Sequence, residues 1–217
     1  MILPPADIKL YSVPPVWEED TFVLVGCGPS LTAEQLKYVR EGARVIAINS
    51  SYKLAPWADV LYGGDSRFWR WYENAPEFCG VRVGLAWDAM NGELYTGYKD
   101  IDRNKVRFMM ATGIEGLESD SRGLKHGKNS GYAAINLAVH FGAKRIVLIG
   151  YDMQPDGNKH HWHGDQPEPI PNPPYELFLE CFDSIVDPLN ELGVQVFNCT
   201  PGSALEVFPK AELVEVV

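Results

Sequence analysis

The stretch FVLVGCGPSL, residues 22–31, decides how this chain is read. Phe22, Val23, Leu24 and Val25 form an unbroken apolar run, which is what a strand covered on both faces requires. The run stops at Gly26-Cys27-Gly28-Pro29-Ser30, and a helical pattern follows at once. Parallel α/β sheets build phosphate- and nucleotide-binding turns in this way. The glycines let backbone approach a ligand, while the helix start offers unpaired N–H groups and the positive end of its dipole. Gly26, Gly28, Pro29 and Ser30 are therefore candidate nucleotide contacts, the alternative being a tight strand–helix turn without a ligand.

Working outward, the same alternation recurs. Residues 32–40 read as a helix with Thr32 as N-cap and Gln35 three positions on, a capping box. Strands follow at 44–48, ending in Asn49-Ser50-Ser51, and at 58–62, ending in Gly63-Gly64-Asp65. Ser66 caps a helix over 67–74, and 80–84 reads as a fourth strand. Over 85–128 the periodicity degrades into glycines and charges with one short strand candidate at 106–110, so this segment is expected to be a lid or insertion. Order returns with Asn129-Ser130-Gly131, a helix at 132–141 and a strand at 145–149 ending in Gly150-Tyr151-Asp152. The loop 154–174 is rich in Pro, His and Gly, and loops of that length are commonly functional. A helix over 175–192, a strand over 194–197 and a polar tail over 198–205 complete the pattern. Strands joined by helical crossovers predict a single Rossmann-like α/β domain over 1–217, mainly parallel, with helices on both faces. Ligands of such sheets sit beyond the carboxyl ends of the strands.

Composition removes several function classes. The formal charge is −10, which argues against a wide grip on a nucleic-acid backbone but not against one small anionic ligand. The four cysteines lie far apart without a CxxC pair, so reduced thiols in the cytoplasm are expected rather than a zinc ribbon or disulfides. No apolar run approaches the roughly 20 residues of a membrane helix. The N-terminus MILPP lacks the form of a signal peptide. The oligomeric state is left open, a homo-oligomer included.

The turns narrow the chemistry. A G-x-G-x-x-G fingerprint needs glycine at 31, where the chain has Leu31, and the second strand ends in Asn49 rather than an acid. Both points disfavour NAD, and no GxxxxGK[ST] loop occurs. Asn49 and Ser50 offer groups for a base or ribose, or simply form a polar turn. Asp65 suits sugar hydroxyls or a cation, or caps the next helix. Ser130 opens a helix whose N-terminus suits a phosphate, and capping explains it equally well. In the loop KHHWHGD, residues 159–165, His160, His161, His163 and Asp165 crowd together at the carboxyl edge. A histidine pKa near 6.5 suits a general base at neutral pH, which makes His161 and His163 the catalytic candidates. A metal bound by His161, His163 and Asp165 rests on a loose, unaccompanied H-x-H spacing, so no metal site is assigned. A plain polar loop is the third reading. Phe68, Trp69 and Trp71 read as packing rather than a stacking platform.

The segments VGCGPSL (25–31), AINS (47–50), NSGYAAINLA (129–138), KRIVLIGYD (144–152), the His-Trp pair and NCTPGSAL (198–205) resemble, in order, the bacterial CMP-sialic-acid-dependent sialyltransferases of lipooligosaccharide synthesis. They are also similar to the MptE-like 6-hydroxymethylpterin diphosphokinases and to small phage-encoded proteins related to both. The resemblance covers most of the chain except about 85–128. It implies that Gly28, Pro29, Ser30 and Asn49 hold the nucleotide, that Ser130 opens the matching helix, and that His161 before Trp162 is the general base. It further implies that Thr200, Pro201 and Ser203 sit beside the base or donor; Asp152, at the carboxyl end of its own strand, is a candidate nucleotide contact by position. In one respect the chain departs. Those sialyltransferases carry two tyrosines ahead of the histidine to assist the leaving phosphate, and between Gly150 and His161 this chain has only Tyr151. Tyr175, Lys159 or a metal would then have to serve.

The leading expectation is a glycosyltransferase that moves a sugar from a CMP-sugar-like donor to an acceptor hydroxyl. The rival is a diphosphokinase that uses ATP and Mg²⁺ on a pterin-like or nucleoside-like alcohol, with Asp65, Asp152 and Asp165 as metal ligands. The third reading is a nucleotide-binding protein without catalysis.

Overall fold

The computed structural model describes residues 2–39, 43–95, 98–164 and 166–217. Its centre is a nine-stranded sheet. In chain order the strands are β1 (Thr21–Val25), β2 (Arg44–Ile48), β3 (Val60–Gly63), β4 (Val81–Asp88), β5 (Glu93–Leu94), β6 (Arg107–Gly113), β7 (Gly123–Lys125), β8 (Arg145–Ile149) and β9 (Gln195–Asn198). The helices are α1 (Ala33–Val39), α2 (Ser66–Trp71), α3 (Ser130–Phe141), α4 (Tyr175–Glu191) and α5 (Leu213–Val216). The spatial order is β7-β6-β4-β3-β2-β1-β8-β9, and every pairing along it is parallel. Only the short β5 pairs antiparallel, on β4. The molecule is a single Rossmann-like α/β domain.

The apolar runs are continuous because both faces are covered. Phe22 and Leu24 of β1 pack on one side of the sheet with α3 and α4, against Ile135, Leu137, Phe182 and Ile185. Val23 and Val25 point to the other side, where Leu36 and Val39 of α1 and Phe68 and Trp69 of α2 meet them. Neighbouring residues of one strand thus enter different cores, and neither face needs polar residues. The expected capping box is present: the Thr32 amide donates to Gln35 Oε1 at 2.8 Å, and the Gln35 amide donates to Thr32 Oγ1 at 3.4 Å.

One expectation is corrected here. Residues 85–128 are not a lid: β4 runs on to Asp88, and β6 and β7 extend the sheet beyond it. The register shifts between Leu85 and Trp87 and again between Ala111 and Gly113. A bulge breaks the two-residue alternation by which a strand is recognised in sequence. The covering segment lies elsewhere, in the loop 154–174, which an Arg70–Glu168 ion pair at 2.8 Å fastens to α2.

Topology fixes where a ligand can go. From β1 the chain works outward through β2, β3 and β4, then returns to place β8 on β1's other side. β1 and β8 flank the switch point, and the crevice beyond their carboxyl ends is where open α/β sheets bind ligands.

Candidate functional site

A cavity of about 840 Å³ occupies that crevice, a size typical of small-molecule sites. The turns after β1, β2, β3 and β8, the N-terminus of α3 and the loop 154–174 all contribute to its wall.

The wall formed by the first turn is tightly self-packed. Gly26 N–H donates to the Ile149 carbonyl and Gly28 N–H to the Gly150 carbonyl, both at 2.8 Å. A Cβ on Gly26 would strike the Gly150 carbonyl, and one on Gly28 would strike the Asp152 carboxylate. Asp152, almost fully buried, accepts from the Ser30 amide and from the Ser30 hydroxyl, each at 3.0 Å. Burial pushes the Asp152 carboxyl up, and the two Ser30 bonds hold it partly down. The glycines expected to admit a ligand therefore admit the β8 turn. Gly26, Gly28, Pro29 and Asp152 still line the cavity, whereas Ser30 does not.

Thr200 and Ser203 are also corrected. Both are buried away from the cavity, and both hydroxyls clamp the Tyr151 backbone. Thr200 Oγ1 accepts from the Tyr151 amide at 2.9 Å, and the Ser203 hydroxyl donates to the Tyr151 carbonyl at 2.5 Å. A small hydroxyl in a turn after an edge strand serves as well to hold the neighbouring strand's end as to meet a ligand. Tyr151 in turn donates its phenol to the Gly131 carbonyl at 3.1 Å, tying β8 to the start of α3.

The opposite wall is different in kind. Asn49, at the end of β2, lies in the left-handed region (φ 49°), and its buried Oδ1 has no partner among the described residues. Tyr62 of β3 and Trp71 of α2 are in the same condition: the Tyr62 hydroxyl and the Trp71 Nε1 are buried without a partner among the described residues. All three residues line this cavity. Lys128 and Met153, also on its wall, are further non-glycine residues with positive φ, at 53° and 51°. Each such conformation costs on the order of 1–2 kcal/mol. An unsatisfied buried polar group costs about 1–3 kcal/mol. Strain of this kind gathers at ligand sites.

Ser50, beside Asn49, is buried with its hydroxyl 3.4 Å from Cys27 Sγ, and that thiol donates to the Ile48 carbonyl at 3.0 Å. Burial pushes the Cys27 thiol up, so it stays protonated and is no nucleophile. Asp65 caps α2 by accepting from the Arg67 amide at 2.8 Å, and it also grips the Arg67 guanidinium at 2.9 Å. At the start of α3, Asn129 is the N-cap and accepts from the Gly131 and Tyr132 amides at 2.7 and 3.1 Å. Ser130 follows as the first helical residue, on the cavity wall beside Lys128.

The histidine loop closes the remaining side. Trp162 N–H donates to the Cys27 carbonyl at 3.1 Å, which pins the loop to the first turn. His161 lines the cavity, and His163 does not; the two imidazoles stack at 5.3 Å between centroids. Burial, followed by His163 and His160 nearby, brings the His161 pKa down to about 4, against a weaker upward pull from a hydrogen bond with the Cys27 backbone. At neutral pH the ring is therefore an uncharged proton acceptor. His160 Nδ1 lies 3.2 Å from the Tyr175 hydroxyl, and both residues line the cavity. Nothing in the sequence pairs them, because the two residues stand on opposite sides of the proline-rich segment.

Among the described residues no three His, Cys, Asp or Glu side chains gather as a metal site. Two of the aspartates that an ATP–Mg²⁺ reading requires, Asp65 and Asp152, are committed to Arg67 and Ser30. The third, Asp165, lies outside the described residues. The described residues alone do not make up a Mg²⁺ site. No described helix is long and apolar enough to cross a membrane.

Compared with protein-family models, with curated proteins and with solved structures, the chain matches none.

Proposed function

We propose that this protein is a nucleotide-dependent group transferase, a glycosyltransferase that takes a CMP-sugar-like donor in the switch-point cavity. One observation carries this reading. Unsatisfied polar atoms on the Asn49 and Tyr62 wall, the α3 N-terminus and the uncharged His161 all border a single cavity at the carboxyl edge of the sheet. The Asn49 carboxamide suits a base or ribose. The α3 terminus suits a phosphate through the positive end of its dipole and the Ser130 hydroxyl on the cavity wall. His161 suits the acceptor side.

In this mechanism an acceptor hydroxyl gives its proton to the His161 imidazole as its oxygen attacks the donor's anomeric carbon. The bond from that carbon to the phosphate oxygen breaks, and the nucleotide leaves with the electron pair. A bound phosphate would raise the His161 pKa from about 4 toward the working pH, since a nearby anion favours the imidazolium. Cytoplasmic location follows from this reading as a further proposal.

His161→Ala is the test. Turnover should fall by about 10²–10⁴-fold, the usual share of a general base, while nucleotide affinity stays. Unchanged turnover would remove His161 from the chemistry. Nucleotide binding without turnover in the wild type, indifferent to the loss of both His161 and His163, would instead mark a non-catalytic binding protein.

A further inference from the structure

Tyr62 has a side chain whose chemistry the fold does not use. It is fully buried (0% exposed) within the core on the α3 side of the sheet, where an apolar ring would pack as well. Its hydroxyl finds no partner among the described residues, and buried hydroxyls are satisfied in the great majority of cases. With none among the described residues, the partner this hydroxyl calls for is sought in the cavity that Tyr62 lines.

Gly64 fixes where that hydroxyl stands. A Cβ built on Gly64 would lie 3.2 Å from the Tyr62 hydroxyl and 3.3 Å from Ser130 Oγ. The two hydroxyls therefore flank one space above Gly64, beside the N-terminus of α3 to which Ser130 belongs. A side chain on Gly64 would separate them. Here Asn129 already takes the Gly131 and Tyr132 amides, Ser130 contributes the first helical position, and Lys128 adds a cation to the wall. The carboxylate on this wall, Asp65, is held by the Arg67 guanidinium. The neighbourhood is rich in donors, with the positive end of a helix of three turns behind it.

We propose that the Tyr62 and Ser130 hydroxyls together form an anion subsite at the start of α3, and that both donate to a phosphate oxygen of the bound ligand. This deepens the transferase reading and rests on it for the identity of the ligand, a nucleotide. The subsite itself is a claim about phosphate chemistry alone. Burial, with Tyr95 close by, keeps the Tyr62 phenol protonated throughout the physiological range, so it acts there as a donor.

Tyr62→Phe removes one oxygen and keeps the ring. Calorimetric titration of the wild type and Y62F with inorganic pyrophosphate, CMP and cytidine tests the subsite. Pyrophosphate and CMP should each bind Y62F about tenfold or more weakly than the wild type, as the loss of a hydrogen bond to a charged group implies. Cytidine, which has no phosphate, should bind both alike. Ser130→Ala should reproduce the loss, and Y62F without ligand should melt no lower than the wild type. Equal pyrophosphate affinity in the wild type and Y62F, or no pyrophosphate binding by the wild type, overturns the proposal. A lower melting point for Y62F overturns it as well, since the hydroxyl would then serve the fold. Should neither CMP nor cytidine bind while pyrophosphate binding is lost in Y62F, the nucleotide reading fails and the anion subsite stands.

Discussion

The two walls of the crevice use the same kinds of residue to opposite ends. On the side of the β1 turn, polar groups are satisfied within the protein. Ser30 is bonded to Asp152, Thr200 and Ser203 hold Tyr151, and Gly26 and Gly28 make room for the Gly150 carbonyl and Asp152. On the side of β2, β3 and α3, the Asn49 amide oxygen, the Tyr62 hydroxyl and the Trp71 indole lack partners among the described residues, and Asn49 and Lys128 hold strained conformations. The first wall is a joint that fixes the geometry of the switch point. The second is the surface on which a ligand can gain free energy, because its groups have most to gain from a partner.

The variant that would break this contrast hardest is His161→Ala on the connecting loop, with turnover down by about 10²–10⁴-fold and binding spared. The same residue sharpens it through pH. With the free-protein His161 pKa at about 4, well below the ordinary 6.5, the ring stays uncharged between those values. The acid limb of kcat/KM should therefore fall near pH 4, and a limb at 6.5 would show that His161 is not the group read. The sign carries over to stability. Because the folded pKa is depressed, this contribution is complete above pH 6.5 and is lost as pH falls through about 4, which a series of melting curves would register.

Next in size is Gly28→Ala. The new methyl group occupies the place of the Asp152 carboxylate, so the joint has to open at a cost of about 3 kcal/mol, read from denaturant midpoints. Full stability in that variant would mean that the turn is not a joint. Thr200→Val should cost about 1–2 kcal/mol, by leaving the Tyr151 amide unpaired, while nucleotide affinity stays near the wild-type value. A selective loss of affinity would instead return Thr200 to the ligand. The smallest effect on stability comes from Asn49→Gly, and it has two signs. Relief of the left-handed backbone should stabilise the free protein by about 0.5–1 kcal/mol, and loss of the amide should weaken nucleotide binding about tenfold. If both quantities moved in the same direction, Asn49 would belong to the joint.

The fold was largely legible in the sequence because each central strand is apolar on both faces and each ends in small polar residues. Arg44–Ile48 and Arg145–Ile149 have the bounds that the pattern implies. Helix α3 begins two residues before the apolar periodicity, since Ser130 and Gly131 are helical without being part of the apolar stripe. Residues 85–128 were illegible for a physical reason: the bulges in the pairing of β4, β6 and β7 erase the alternation. The candidate site was legible by position and much less by role. Gly26, Gly28, Pro29, Asn49, Ser50, Asp65, Ser130, Asp152 and His161 all line the cavity, whereas Ser30, His163, Thr200 and Ser203 do not. A serine or threonine in a turn looks the same whether its hydroxyl faces a ligand or a neighbouring strand, and only the pairing of β1 with β8 and of β8 with β9 settles which. Tyr62 and Trp71 were hidden by the reverse problem. Aromatic residues inside apolar segments read as core, and what singles these two out is an unpaired atom, which no sequence displays.

The central claim is that the crevice between the satisfied wall and the open one binds a nucleotide. A thermal-shift series with CMP, UMP, ADP and ATP on the wild type tests it most directly. The account predicts that CMP stabilises the fold, by about 2.7 kcal/mol when present at 100 times its Kd. Melting midpoints that stay unchanged with all four nucleotides would contradict it.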